Sequence, residues 1–209
     1  AVGSWVLYGL GTENQNLPAF VVLRDPTTYN NNGTRLWENG WLPALYRGTE
    51  FDSGEGRAPV LNLQPARSLP AGLQRDNLAL LRELNQRYLD RHPHESDLEA
   101  RIVNYELAAR MQTAAREALD VSRETRATHQ LYGLDNPATV EFGTRCLIAR
   151  RLVERGVRFV QLFTKNQYWD HHGSIRGSLP ASCLKVDRPA AALVADLKQR
   201  GLLDSTVVH

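Results

Sequence analysis

Over residues 136–209 the apolar residues switch from helical spacing to an extended run and back, and this alternation restricts the fold more than any other feature. Phe142, Cys146, Ala149 and Val153 form a helical stripe with Leu147, Ile148 and Leu152 beside it. Asn136-Pro137 offers a cap and a first-turn proline, and Gly156 is placed to end the helix in a left-handed turn. Val157 to Phe163 then reads as a strand and Thr164 to Val186 as a loop. Asp187 is positioned to cap a second helix, with Pro189 in its first turn, Leu193, Val194 and Leu197 inside and Gly201 beyond its end. A further strand is expected to start near Thr206. A helix between two strands in this order is a βαβ crossover, so the predicted class is α/β, a mainly parallel sheet flanked by helices.

The rest of the chain fits that class. Trp5, Val6, Leu7 and Leu10 predict a short helix ended by Gly9 or Gly11, and Ala19 to Leu23 predicts a buried strand followed by Arg24-Asp25-Pro26. Thr27 to Gly33 reads as a loop, and Trp37 to Gly56 as irregular with a helical turn. Leu73, Leu80, Leu81, Leu84 and Tyr88 mark one long helix that His92-Pro93 ends. Ser96 and Glu99 form a capping box for the next, whose apolar face is Leu98, Ile102, Tyr105 and Ala109. Together these predict a long helical hairpin over residues 73–118, an appendage to the sheet.

Composition excludes more than it assigns. A chain of 209 residues suits one α/β domain. Twenty-five Lys and Arg against 23 Asp and Glu leave no charge excess for a nucleic-acid surface. No stretch has the ~18 apolar residues of a membrane span. The two cysteines, Cys146 and Cys183, lack metal-knuckle spacing and read as free or buried thiols.

One constellation could carry chemistry. Trp169-Asp170-His171-His172-Gly173 lies in the loop after the predicted strand ending near Phe163, and open α/β sheets bind ligands beyond the carboxyl ends of their strands. A carboxylate and a neutral imidazole two residues apart suit a divalent metal, with Gly173 allowing close backbone approach. The plain alternative is a polar loop in which Asp170 caps a turn and the histidines are solvated. Glu13, Asn14 and Asn16 form a polar cluster before a strand, with turn chemistry the default, and Asp52 and Glu55 sit in a glycine-rich loop and could line a cleft. His92 and His94 flank a proline in an interhelical turn and read as solvated.

Four separated segments carry a family resemblance. They are Gly3-Ser4-Trp5 through Tyr8-Gly9-Leu10-Gly11-Thr12-Glu13-Asn14-Gln15-Asn16-Leu17-Pro18, Asn39-Gly40-Trp41-Leu42-Pro43-Ala44-Leu45-Tyr46-Arg47-Gly48-Thr49-Glu50-Phe51, Arg151-Leu152-Val153-Glu154-Arg155-Gly156-Val157-Arg158-Phe159-Val160-Gln161, and Asp196 through Thr206. In this order, and covering essentially the whole chain, they resemble DUF1501, a bacterial family common in planctomycetes that is placed with the sulfatases in the alkaline phosphatase superfamily. The resemblance implies a partial alkaline-phosphatase-like domain over residues 1–209, an internal fragment truncated at both ends. It implies metal-dependent hydrolysis of phosphate or sulfate esters, on a small-molecule or polysaccharide substrate, by an exported or periplasmic protein. The family's W-D-x-H-G motif falls on Trp169, Asp170, His172 and Gly173, which makes Asp170 and His172 ligands of Zn, Mn, Mg or Ca. His171 takes the variable position, and Trp169, His171, Gly173, Glu13 and Asn14 are cleft-lining candidates. The nucleophile is expected before Ala1 and a further acidic motif beyond His209, so the fragment alone is expected to be inactive. The sequence departs from the family at Ala1-Val2 and at Ser174, where the family often has Asp. The competing expectation is a non-catalytic binding or structural module that keeps the fold.

Overall fold

The computed structural model describes residues 1–52, 70–92 and 96–209. Helix α1 (Val2–Leu10) precedes strand β1 (Phe20–Leu23) and strand β2 (Thr49–Phe51). Helices α2 (Ala71–Leu89), α3 (Ser96–Leu119), α4 (Arg126–Leu131) and α5 (Val140–Glu154) lead to strand β3 (Phe159–Leu162), and α6 (Ile175–Gln199) follows. The three strands form a parallel sheet in the order β2-β1-β3, with Val21 opposite both Thr49 and Val160.

The central strand explains the layers. Every residue of β1 is buried, as an unbroken Phe-Val-Val-Leu run requires when both sheet faces are covered. Phe20 and Val22 pack with Leu7 of α1 and with Trp37 on one face. Val21 and Leu23 pack with Met111, Ala115 and Ala118 of α3 and Ile148 and Leu152 of α5 on the other. Gly3 lets α1 sit close: a Cβ there would lie 2.6 Å from the Phe159 ring and 2.7 Å from the Phe20 ring. Outside α5 lies α6, joined to it by Tyr132, Cys146, Leu147, Ala192, Leu193 and Leu197.

A parallel sheet flanked by helices is therefore present, but it differs from the expected one in four places. Strand β2 lies inside the segment expected to be irregular; it is three residues long with Glu50 at its centre. Helix α5 begins at Val140, not at Pro137, because Asn136 instead closes a turn, its Oδ1 accepting from Ala138 N at 2.9 Å. The loop after β3 is much shorter than predicted: α6 starts at Ile175 and runs through Pro180 and Pro189, which leaves Asp187 inside the helix rather than at its cap. The Tyr168 hydroxyl donates to the Ser182 carbonyl at 3.0 Å within this proline-weakened stretch. No strand forms near Thr206, whose backbone is extended but pairs with no neighbour among the described residues.

The helical hairpin is present as α2 and α3, linked by Arg82 Nε to Glu106 Oε1 at 2.6 Å. Its predicted apolar stripe is not core: Leu73, Leu80, Leu81, Leu84 and Tyr88 are all exposed, and the inner contacts of α3 come from Met111, Ala115 and Ala118. No helix among the described residues is long and apolar enough to cross a membrane. Glu55, Gly56, Pro93 and His94 lie outside the described residues, as does any side-chain detail of Ser96 and Glu99.

Both cysteines are free thiols. Cys146 is buried between α5 and α6, and burial pushes its thiol up to about 12, so it stays protonated and shielded. Cys183 is half-buried. A thiol reagent added to the native protein is thus expected to modify Cys183 first and Cys146 only after denaturation. Equal native rates at the two positions, read by mass spectrometry, would contradict this packing.

Candidate functional site

Because the strands are parallel, their carboxyl ends open on one edge, and the loops leaving β1 and β3 meet there. Phe163 N donates to the Leu23 carbonyl at 2.9 Å. Asn166 then ties the two loops together, its backbone N donating to Thr28 Oγ1 at 3.1 Å and its Nδ2 to Asn31 Oδ1 at 2.8 Å. Gln167 follows with a φ of 54°, in the left-handed region that non-glycine residues seldom occupy. The turn is held by Tyr168 N on the Lys165 carbonyl and Asp170 N on the Gln167 carbonyl, both at 3.1 Å.

This turn delivers Asp170 and His172 to one another. His172 Nε2 lies 2.9 Å from Asp170 Oδ2. Ligand bonds of about 2.1 Å let two donors up to ~4 Å apart share one ion, so the donor types and their separation fit a divalent cation. The pair faces outward: the His172 side chain is 89% exposed and that of Asp170 39%. No group of three or more His, Cys, Asp and Glu placed to hold a metal occurs among the described residues.

The neighbours divide into inward and outward sets. His171 turns inward, with Nδ1 2.9 Å from Ser178 Oγ on the first turns of α6. Its Nε2 is buried without a hydrogen-bond partner among the described residues, a cost that an additional acceptor or cation would offset. Trp169 stands half-exposed, edge-on to Tyr168 with centroids 5.1 Å apart. A Cβ at Gly173 would face open space, so packing within the chain does not require glycine there.

Glu13 and Asn14 do not join this edge. They precede β1, at the amino edge of the sheet. Asn14 is a structural clamp: its Oδ1 accepts from Asn16 N at 2.8 Å and Leu17 N at 2.9 Å, and its Nδ2 donates to the Arg155 carbonyl. It also lines a cavity of about 220 Å³ with Leu7, Leu17 and Arg110. Glu13 is exposed.

Sequence reasoning missed a second group at the carboxyl edge. Asp25, two residues beyond the end of β1, is buried, and its Oδ1 accepts from Thr27 N at 2.9 Å and Thr27 Oγ1 at 2.5 Å. Its Oδ2 meets Arg145 Nη2 of α5 at 3.3 Å. Burial pulls the Arg145 guanidinium below its ordinary value, and the facing Asp25 carboxylate opposes that fall. Both residues border a cavity of about 230 Å³ that Lys165 and Lys185 also line. The available signal was the Arg24-Asp25 pair immediately beyond a wholly apolar strand; Arg145 sits inside a helical pattern and carried none.

The chain matches no curated protein and no solved structure. A family model described as a protein of unknown function, DUF1501, matches residues 1–209, so the chain belongs to the DUF1501 family.

Proposed function

We propose that this chain is part of a metal-dependent hydrolase of phosphate or sulfate esters of the sulfatase-like type, with Asp170 and His172 holding the cation. The observation that carries the reading is the 2.9 Å approach of a carboxylate and an imidazole in the loop leaving the carboxyl end of a parallel strand. The resemblance of the four segments to DUF1501, a family placed with the sulfatases, adds the reaction class. A bound divalent ion supplies Lewis-acid polarisation of the ester oxygen and stabilises developing charge. The chain's own contribution is to fix the two ligands: the Gln167 turn sets their spacing, and Asn166 locks the loop to the β1 exit. Their exposure leaves the remaining coordination positions open to substrate and to further ligands. The reading also requires a hydroxyl nucleophile in addition to the pair.

The experiment is a screen of aryl phosphates and aryl sulfates on the parent protein, with and without divalent metal. Turnover that chelation abolishes and Asp170→Ala removes is the expected result. Metal-independent turnover, or an Asp170→Ala variant as active as wild type, would refute it.

A second reading, a non-catalytic binding module, draws on the unburied leucines of α2. It expects no turnover in that screen, even with metal bound.

A further inference from the structure

The cavity at the exits of β1 and β3 is walled by the first half of α5, the middle of α6 and the start of the β3 loop. Three of its lining residues are cationic, Arg145, Lys165 and Lys185, and two are acidic, Asp25 and Glu141. Asp25 is already committed, with both oxygens taken by Thr27 and Arg145. Neither Lys165 nor Lys185 has a carboxylate partner among the described residues; Lys185 instead lies 5.7 Å from the centroid of the Tyr168 ring. The cavity therefore carries more positive charge than its own carboxylates neutralise.

Arg145 gives the second, independent observation. Its side chain is 3% exposed, yet of its five N–H donors only one makes a hydrogen bond among the described residues, the 3.3 Å contact to Asp25. Its Nε is buried with no partner. Apart from that bond the guanidinium has the Phe142 ring, 5.6 Å from its carbon to the ring centroid, and an acceptor entering the cavity that both residues border would add a partner. A planar fork and two ammonium groups without carboxylate partners among the described residues, lining one cavity, are the chemistry that recognises oxyanions. A volume of about 230 Å³ admits a small one.

We propose that this cavity binds a small oxyanion, a phosphate or a carboxylate group, with Arg145 as the buried anchor and Lys165 and Lys185 as the charged walls. The assignment stands apart from the hydrolase reading, since it uses neither Asp170 nor His172.

The test is calorimetric titration of the 209-residue chain with inorganic phosphate and, separately, with acetate at low ionic strength. Saturable binding of at least one anion is expected, and the stronger of the two identifies tetrahedral or planar preference. Lys165→Met/Lys185→Met, which alters only exposed side chains, is expected to weaken it about tenfold or more, the loss of a charge-assisted contact or two. Lys198→Met, on α6 but outside the cavity, is expected to leave affinity unchanged. Arg145→Lys keeps the charge but loses the fork and is expected to lose binding while its circular dichroism stays native. Asp170→Ala/His172→Ala is expected to retain binding, which separates this site from the proposed metal pair. Absence of saturable binding by either anion, or binding that the double lysine variant leaves intact, would overturn the proposal; so would loss of binding in Asp170→Ala/His172→Ala.

Discussion

Arg150→Met is expected to destabilise the protein by about 3–5 kcal/mol, the usual cost of removing one partner from a buried ionic network. Arg150 is 2% exposed and is the hub between α5, α6 and the segment before α4. Its Nη2 lies 2.8 Å from Glu124 Oε2, its Nη1 2.6 Å from Glu154 Oε2 and its Nε 3.0 Å from Asp196 Oδ2. The contacts from Nη2 and Nε are ion pairs without hydrogen-bond alignment, so charge rather than direction holds them. Arg200 and Arg151 retain part of the network, with Arg200 Nη1 at 2.6 Å from Glu154 and Nε at 2.7 Å from Asp196, and Arg151 on Glu124. Tyr132, wholly buried, donates to Asp196 Oδ2 at 3.0 Å, and burial raises its phenol far above the ordinary value, so it remains a donor. Methionine replaces the buried stem of Arg150 but leaves Glu124, Glu154 and Asp196 to share two guanidiniums, Arg151 and Arg200, in a largely buried site. For a chain of this size the loss corresponds to a fall in Tm of roughly 6–20 °C. A fall of less than about 2 °C would show the network to be dispensable.

The same network predicts the acid limb. Burial alone would raise the Glu124 carboxyl, but the Arg150 and Arg151 guanidiniums beside it outweigh that and hold the carboxyl below the ordinary glutamate value of 4.5. A carboxylate depressed in the folded state stabilises above its unfolded pKa, and that contribution disappears as pH falls through the folded value. The stability gap between wild type and Arg150→Met is therefore expected to narrow below pH 4.5, and urea midpoints measured across that range check it.

How much of this was legible from residues alone follows physical lines. β1 was readable because a strand buried on both faces must be apolar throughout, and Ala19 to Leu23 is. β2 was not, since a three-residue strand with Glu50 inward of its ends has no periodicity to detect; tertiary pairing with β1 defines it. The start of α6 was hidden by Pro180 and Pro189, which local rules place in first turns. Packing of Ala192, Leu193 and Leu197 against α5 holds the helix despite the missing N–H groups. The α2 stripe shows the converse: helical spacing of leucines reveals a helix but not what covers it. At the site, Asp170 and His172 could be paired from their spacing within one loop. The Arg145 cavity could not, because it is assembled from four distant segments and no short window contains two of its cations.

The second large effect concerns the loop itself. Asp170→Ala and His172→Ala each remove one of the two donors brought to 2.9 Å. Each is expected to reduce metal affinity by more than the roughly 10–100-fold that loss of an outer-shell partner costs. His171→Ala is expected to act more weakly, since its Nδ1 is engaged with Ser178 and its ring supports the loop from within. The exposure of Asp170 and His172 makes these substitutions harmless to packing, so unchanged Tm in the metal-free variants separates a lost ligand from a lost fold.

The most direct measurement is therefore a Mn²⁺ titration followed by electron paramagnetic resonance, comparing the wild-type protein with Asp170→Ala/His172→Ala. One saturable site in the wild type that vanishes in the double variant is the predicted result. Identical isotherms, or no binding by the wild-type protein, would contradict the assignment of Asp170 and His172 as the cation's ligands.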